Sequence, residues 1–158
     1  MLVEATDAHF AWLLGQAQSP AFGLCLPPGG VDQRETLELL RAMTRRLNAA
    51  GSRGSWLVVV DSEVVGLCGY KLPPTADGVV EIGYGIAPCR RNLGHATRAV
   101  RAMMELARLD LAVSHVVAST AVANAASQTV LKRNGFARSG ASHDPDDGHL
   151  IWWRLKLR

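Results

Sequence analysis

The chain has 158 residues, of which 48% are hydrophobic and 20% charged, with a formal net charge of +3 at pH 7. That length suits one domain with a substantial core, and the composition carries neither low-complexity tracts nor a disorder signature. No apolar run approaches the ~18 residues of a membrane span, the N-terminus is acidic where a signal peptide is basic, and the arginines are scattered, so neither membrane nor nucleic acid is expected as a partner.

Val3–Glu4 reads as a short first strand, followed by a helix from Asp7 to about Leu14 that stops at Gly15. Residues 19–30, "SPAFGLCLPPGG", are rich in turn formers yet hold Phe22, Leu24 and Leu26. Such a loop either folds over the core or walls a substrate pocket. Asp32 is expected to cap a helix running to about Ala49, with Leu37, Leu40, Met43, Thr44 and Leu47 on one face. "WLVVVDSEVVGLCGYKL" predicts a hairpin, Trp56–Val60 and Val64–Leu72 around a turn at Asp61–Glu63, and "VVEIGYGIA" predicts a third strand, Val79–Ala87. A helix from Arg91 to about Leu109, a strand His115–Thr120, a helix Ala125–Asn134 and a terminal strand "LIWWRLKL" complete the order. Strands first, then alternating helix and strand, predict an α/β fold of the α+β type: a mixed sheet of about six to seven strands with helices on its faces, one domain over residues 1–158.

The helix after the third strand carries the first functional signal. Leu93, Ala96, Val100, Met103 and Ala107 share one side, and Arg98, Arg101, Glu105 and Arg108 the other. Its first-turn N–H groups, at about Asn92–Ala96, have no internal partner, and Gly94 permits close approach, which makes an anion site. A GxxxxGK[ST] loop is absent, and "GYGIAP" matches only two glycines of a dinucleotide fingerprint, so neither a nucleoside triphosphatase nor a dehydrogenase is supported. Cys25, Cys68 and Cys89 lack CxxC or Cys/His spacing, and His143 and His149 lack a third ligand, so no metal site is expected. Cysteines so spaced suit a reducing, cytoplasmic setting.

R-x-x-G-x-A, here Arg91-Asn92-Leu93-Gly94-His95-Ala96, resembles the pyrophosphate-binding loop of the GNAT superfamily of acetyl-CoA-dependent N-acetyltransferases. A second stretch, "ANAASQTVLKRNGF" at residues 123–136, is similar to the N-x-x-S-x-x-V-L-x-x-x-G-F signature of that superfamily's ribosomal-protein N-terminal (alanine) acetyltransferase branch. Its local physics is readable by itself: Asn124 caps a helix, and Gly135 takes a left-handed position while Phe136 packs back on Leu131 in a Schellman arrangement. With "EIGYGIAP" the resemblance covers residues 79–136.

The resemblance implies a GNAT fold whose splayed strands form an acetyl-CoA cleft, with acetyl-CoA as cosubstrate and no metal. It implies that Tyr84 and Ile86 supply strand contacts to pantetheine, and that Asn92, Leu93, Gly94, His95 and Ala96 supply amides to the pyrophosphate. Arg91 would add charge there, Asn124 would reach the pantetheine, and Ser127 would lie near the thiol. Acetyl transfer needs a neutral amine, donors for the oxyanion and a proton source for the leaving thiolate. Glu81 is the candidate base: it interrupts an apolar strand, shares a face with Gly83 and Gly85 under strict alternation, and matches a Glu in many relatives. A bulge would alter that facing. The tyrosine that many relatives use as acid is replaced by Leu131, which leaves Ser127 and Tyr84 as candidates.

The implied acceptor is a primary amine such as a protein N-terminus; a small-molecule amine, amino acid or antibiotic is the alternative, and a non-catalytic acyl-CoA sensor is the alternative of another class. The family's habits suggest a homodimer. Asp144, Asp146 and Asp147 form either a solvated hairpin loop or a cluster attracting a cationic amine. Trp152 and Trp153 alternate faces of the last strand, so one of them is expected in the core.

Overall fold

The computed structural model describes residues 1–20 and 23–158. In chain order the elements are β1 (Leu2–Glu4), α1 (Asp7–Leu13), α2 (Arg34–Ala49), β2 (Ser55–Val60), β3 (Glu63–Tyr70), β4 (Val79–Ile86), a 3₁₀ turn (Pro88–Arg90), α3 (His95–Leu109), β5 (His115–Ala121), α4 (Ala125–Arg133), β6 (Ala137–Asp144) and β7 (Gly148–Lys156). The strands form a seven-stranded sheet in the order β1-β2-β3-β4-β5-β7-β6. β1 to β4 are antiparallel neighbours, β4 and β5 run parallel, and β7 returns antiparallel between β5 and β6.

Alternation along the strands sorts the side chains into two cores. Trp56 and Val58 of β2 and Val80 and Ile82 of β4 join Val100 and Met103 of α3 and Leu131 of α4. On the opposite face Leu57 and Val59 of β2 and Val64 and Leu67 of β3 join Phe10 of α1 and Leu37 of α2. Helices therefore cover both faces. The β2–β3 hairpin turns through Asp61 (φ 47°) and Ser62 (φ 66°), two consecutive left-handed residues that match the strand twist.

The decisive feature is a fork. β4 pairs with β3 from Ile82 to Ile86, but with β5 only at Val79, Val80 and Glu81. β5 continues beside β7 as far as Ala121, so past Glu81 the two parallel strands part and leave a cleft between them.

Several sequence expectations shift. α2 is capped at Gln33, whose extended backbone (φ −69°, ψ 153°) lies one residue past Asp32; the Asp32 carboxylate accepts the Gln33 N–H at 2.8 Å instead. β3 ends at Tyr70, ahead of Pro73 and Pro74. α3 begins at His95 rather than Arg91, because the 3₁₀ turn and left-handed Asn92 (φ 63°) and Gly94 (φ 76°) occupy the intervening residues. Leu93 consequently leaves the helix face and is 56% exposed. In the 19–30 loop, Leu24 and Leu26 pack against the second core, as a loop folded over the core requires. Phe22 lies outside the described residues. Trp153 fills the first core, its Nε1–H bonded to Thr120 Oγ1 at 3.0 Å, while half-buried Trp152 donates to Ser142 Oγ at 2.8 Å. Among the described residues no helix is long and apolar enough to cross a membrane.

Candidate active site

The loop between β4 and α3 is built to leave backbone donors free. The Ala87 N–H closes on the Val65 carbonyl at 2.9 Å, and Arg90 grips the Glu63 carboxylate through Nε (2.6 Å) and Nη2 (3.0 Å), fixing the 3₁₀ turn to the start of β3. That guanidinium holds the Glu63 carboxyl below its ordinary range. Left-handed Gly94 serves as the N-cap of α3 and has no side chain to cap it; Arg98 is the first residue of the helix to find an acceptor, the Gly94 carbonyl at 3.1 Å. The four orphan N–H groups of the helix start therefore belong to Gly94, His95, Ala96 and Thr97. Three of the five expected amide positions, Gly94, His95 and Ala96, are among these; Thr97 joins them, and Asn92 and Leu93 lie in the loop ahead of the helix. A Cβ at Gly94 would sit 3.1 Å from Arg98 Nη1 on a backbone that L side chains rarely adopt.

These donors open into a cleft of about 560 Å³ between the far half of β4, the start of α3 and the inner side of α4. Of the residues expected from sequence, Tyr84, Ile86, Arg91, Asn92, Gly94, His95, Ala96, Asn124 and Ser127 all line it, whereas Leu93 and Glu81 do not. The lining also brings in Arg90, Thr97 and Arg133, which sequence reading missed. Arg133 stood inside the quoted second motif; Thr97 would have followed from placing the helix start correctly. No acidic side chain is among the described lining residues; Arg90 is paired with Glu63 outside the lining, so Arg91 and Arg133 are the lining arginines that carry no carboxylate partner among the described contacts and give the cavity a positive field.

Within the cleft several groups are already engaged. Asn124 Oδ1 accepts the Ser127 N–H at 3.1 Å and caps α4. Gly135 (φ 82°) ends that helix, the Phe136 N–H returning to the Leu131 carbonyl at 3.1 Å and the Gly135 N–H to that of Lys132 at 3.0 Å, which is the expected Schellman pattern. The Tyr84 hydroxyl donates to the Ser127 carbonyl at 3.1 Å, tying β4 to α4, and burial pushes the phenol up to about 12. Arg91 Nε donates to the Ile86 carbonyl at 3.1 Å. His95 Nδ1 lies 2.8 Å from Arg98 Nη2; burial, followed by the charges of Arg98 and Arg90, lowers its pKa and disfavours the imidazolium.

Glu81 stands at the fork itself. The β3–β4 register is unbroken from Tyr70↔Ile82 to Gly66↔Ile86, so alternation holds and Glu81 shares a face with Gly83 and Gly85, opposite Tyr84. Its Oε1 takes two partners: Lys71 Nζ at 2.6 Å and, from β5, Ser119 Oγ at 3.3 Å. A Cβ on Gly83 would meet Lys71 Cε at 3.4 Å, and one on Gly85 would meet Asp32 Oδ2 at 3.7 Å. The bare strip of β4 is thus overlain by one ammonium and one carboxylate. The Asp144 carboxylate accepts the N–H groups of Asp146 (2.8 Å) and Asp147 (2.9 Å), so the acidic hairpin loop is held by its own turn. Leu131, in the place of the usual tyrosine, is fully buried in the core.

A mixed sheet that forks between its two parallel strands, with an uncapped helix N-terminus and arginines lining the cleft, is the architecture that the resemblance to acetyltransferases implies. Residues 1–137 match the family model described as acetyltransferase (GNAT) domain, and the chain belongs to that family. It is 27% identical over 104 residues to the uncharacterized N-acetyltransferase YjdG of Bacillus subtilis (strain 168); the match takes in 65% of this chain and 62% of that relative, under two thirds of its length. Among solved structures it resembles RimL, a ribosomal L7/L12 α-N-protein acetyltransferase in complex with coenzyme A, with a TM-score of 0.74 at 18% identity over 98% of this chain and 92% of that one. The aminoglycoside acetyltransferase AAC(6')-Ib in complex with ribostamycin and coenzyme A gives a TM-score of 0.72 at 20% identity over 99% and 92%. At these identities the likeness is one of fold.

Proposed function

We propose that the protein transfers an acetyl group from acetyl-CoA to a primary amine, with a protein N-terminal amine as the leading acceptor. The observation that carries this reading is the presence, around one cleft, of the helix-start amides of α3 and the lining arginines Arg91 and Arg133, with a carboxylate at the fork beside it. Acetyl-CoA bound there supplies an activated thioester. The amides of Gly94, His95, Ala96 and Thr97 hold its pyrophosphate at the helix N-terminus, and Arg91 and Arg133 add charge-assisted bonds. Tyr84 and Ile86 align the pantetheine along β4, and Asn124 borders it on the other side.

Glu81 takes the proton that the incoming ammonium must lose. Ser127 delivers a proton at the thiol end. Tyr84 is the weaker acid candidate, since its hydroxyl is already given to a carbonyl and its pKa is pushed up to about 12; its service is to brace α4 against β4. The sheet running from β1 to β6 supports one acetyltransferase domain over residues 1–158. Cys25, Cys68 and Cys89 are all free, in keeping with a reducing cytoplasm. Family habit supports a homodimer, which light scattering reads directly.

The test is thiol release from acetyl-CoA over a panel of N-terminal peptides and small amines. Turnover above the hydrolysis background with peptides is expected. Turnover confined to small amines would move the acceptor to that class, and binding without turnover on any amine would overturn the enzyme in favour of an acyl-CoA sensor.

A further inference from the structure

The candidate base is occupied by an amine of the protein's own chain. Lys71 leaves the end of β3, lies across the strip that Gly83 leaves bare, with Cε 3.4 Å from where a Cβ would stand, and sets Nζ 2.6 Å from Glu81 Oε1. The same oxygen accepts the Ser119 hydroxyl from β5 at 3.3 Å. The contact therefore falls where β4 and β5 part, some five residues along β4 from Ile86 and the amide loop, a span of roughly 17 Å at strand rise. The Lys71 side chain is 40% exposed, with its Nζ held by Glu81. An amine that reacts here must reach the fork, face Glu81 and give up a proton to it. Lys71 already meets the first two conditions.

Resting on the acetyl-CoA reading above, we propose that Lys71 is an acetyl acceptor of the protein's own reaction. Its ammonium loses one proton to the Glu81 carboxylate, which passes it to solvent. The free Nζ pair attacks the thioester carbonyl carbon, a C–N bond forms and the C–S bond breaks. The thiolate leaves with the sulfur's electron pair and takes up the second nitrogen proton. The products are Nε-acetyl-Lys71, coenzyme A with a free thiol, and one proton. The amide formed has no charge, so the ion pair to Glu81 is lost and the carboxylate becomes available to an external amine.

The chain carries its own controls, because Lys132 and Lys156 are its remaining lysines and neither belongs to the fork. The purified protein is incubated with acetyl-CoA alone, acetylation at each lysine is followed by peptide mass mapping, and acetyl-CoA binding is measured on the same preparation by calorimetry. Lys71 is expected to be modified at least about 10²-fold faster than Lys132 or Lys156, the kind of gain that holding two reactants in one site gives. Its rate per molecule should not depend on protein concentration. Excess coenzyme A, which fills the cleft without an acetyl group, and Gly94→Asp should each abolish the advantage. Binding of acetyl-CoA with Lys71 modified no faster than the other two lysines overturns the proposal and leaves the acetyltransferase reading standing. A rate that rises with protein concentration overturns the intramolecular step. Absence of binding by the folded wild type overturns both.

Discussion

On the α3–α4 side of β4 the site is made of backbone: left-handed Asn92 and Gly94, the orphan amides that follow, and a helix ended by Gly135. On the opposite face it is made of side chains, with Glu81, Lys71, Ser119 and Asp32 drawn from four separate segments and each dependent on its neighbours. The first kind of site is specified by few residues at fixed spacing, because a backbone conformation needs a particular residue type at a particular place. The second kind is specified by tertiary contact, so no spacing announces it. In the proposed function, cofactor recognition and acceptor recognition fall on the two faces of one strand.

Predictions from this contrast fall in order of size. Glu81→Gln keeps the shape and loses the base: thiol release should fall by about 10²- to 10⁴-fold, with acetyl-CoA binding by calorimetry unchanged. A loss of binding in that variant would mean that the two faces are not separate. Phe136→Ala removes a buried ring that packs with Leu131 in the first core, and should lower stability by about 3–5 kcal/mol in urea unfolding. Arg133→Ala deletes one of several charges around donors that are mostly backbone, so acetyl-CoA affinity should weaken only about tenfold, or ~1.4 kcal/mol. A far larger loss would show that side chains, not amides, dominate the cleft.

The smallest effect lies away from both. His9 caps α1 by reciprocity, its Nδ1 accepting the Thr6 N–H at 3.0 Å while its own N–H donates to Thr6 Oγ1 at 3.3 Å. Burial lowers the pKa of this imidazole below its ordinary 6.5, and the cap needs Nδ1 unprotonated. The unfolded chain therefore binds the proton first: the stability is complete above about pH 6.5 and declines as pH falls through the lowered folded value. Thermal melts from pH 8 to 5 should show that decline in the wild type and a flatter profile in His9→Gln, which makes no such proton-linked cap.

How much could be read in advance follows the same divide. The α4 motif was legible to the atom, since a cap at Asn124 and a left-handed Gly135 are local requirements. The start of α3 lies four residues past the expected Arg91, because Asn92 and Gly94, two residue types that tolerate the left-handed region, both adopt it and hold the chain out of the helix until His95. β6 carried no strand pattern: "ARSGASHD" is exposed along nearly its whole length, and it is a strand only because β7 pairs with it. The facing of Glu81 followed from alternation, whereas its partners Lys71 and Ser119 come from neighbouring strands that periodicity cannot bring together.

The most direct measurement is calorimetry of acetyl-CoA against the wild type and Gly94→Asp, which puts bulk and negative charge at the head of the amide loop. The account predicts micromolar-range binding, on the order of −8 kcal/mol, that the substitution abolishes while circular dichroism shows the fold retained. Equal binding by both proteins would contradict it, because the pyrophosphate would then rest somewhere other than the start of α3.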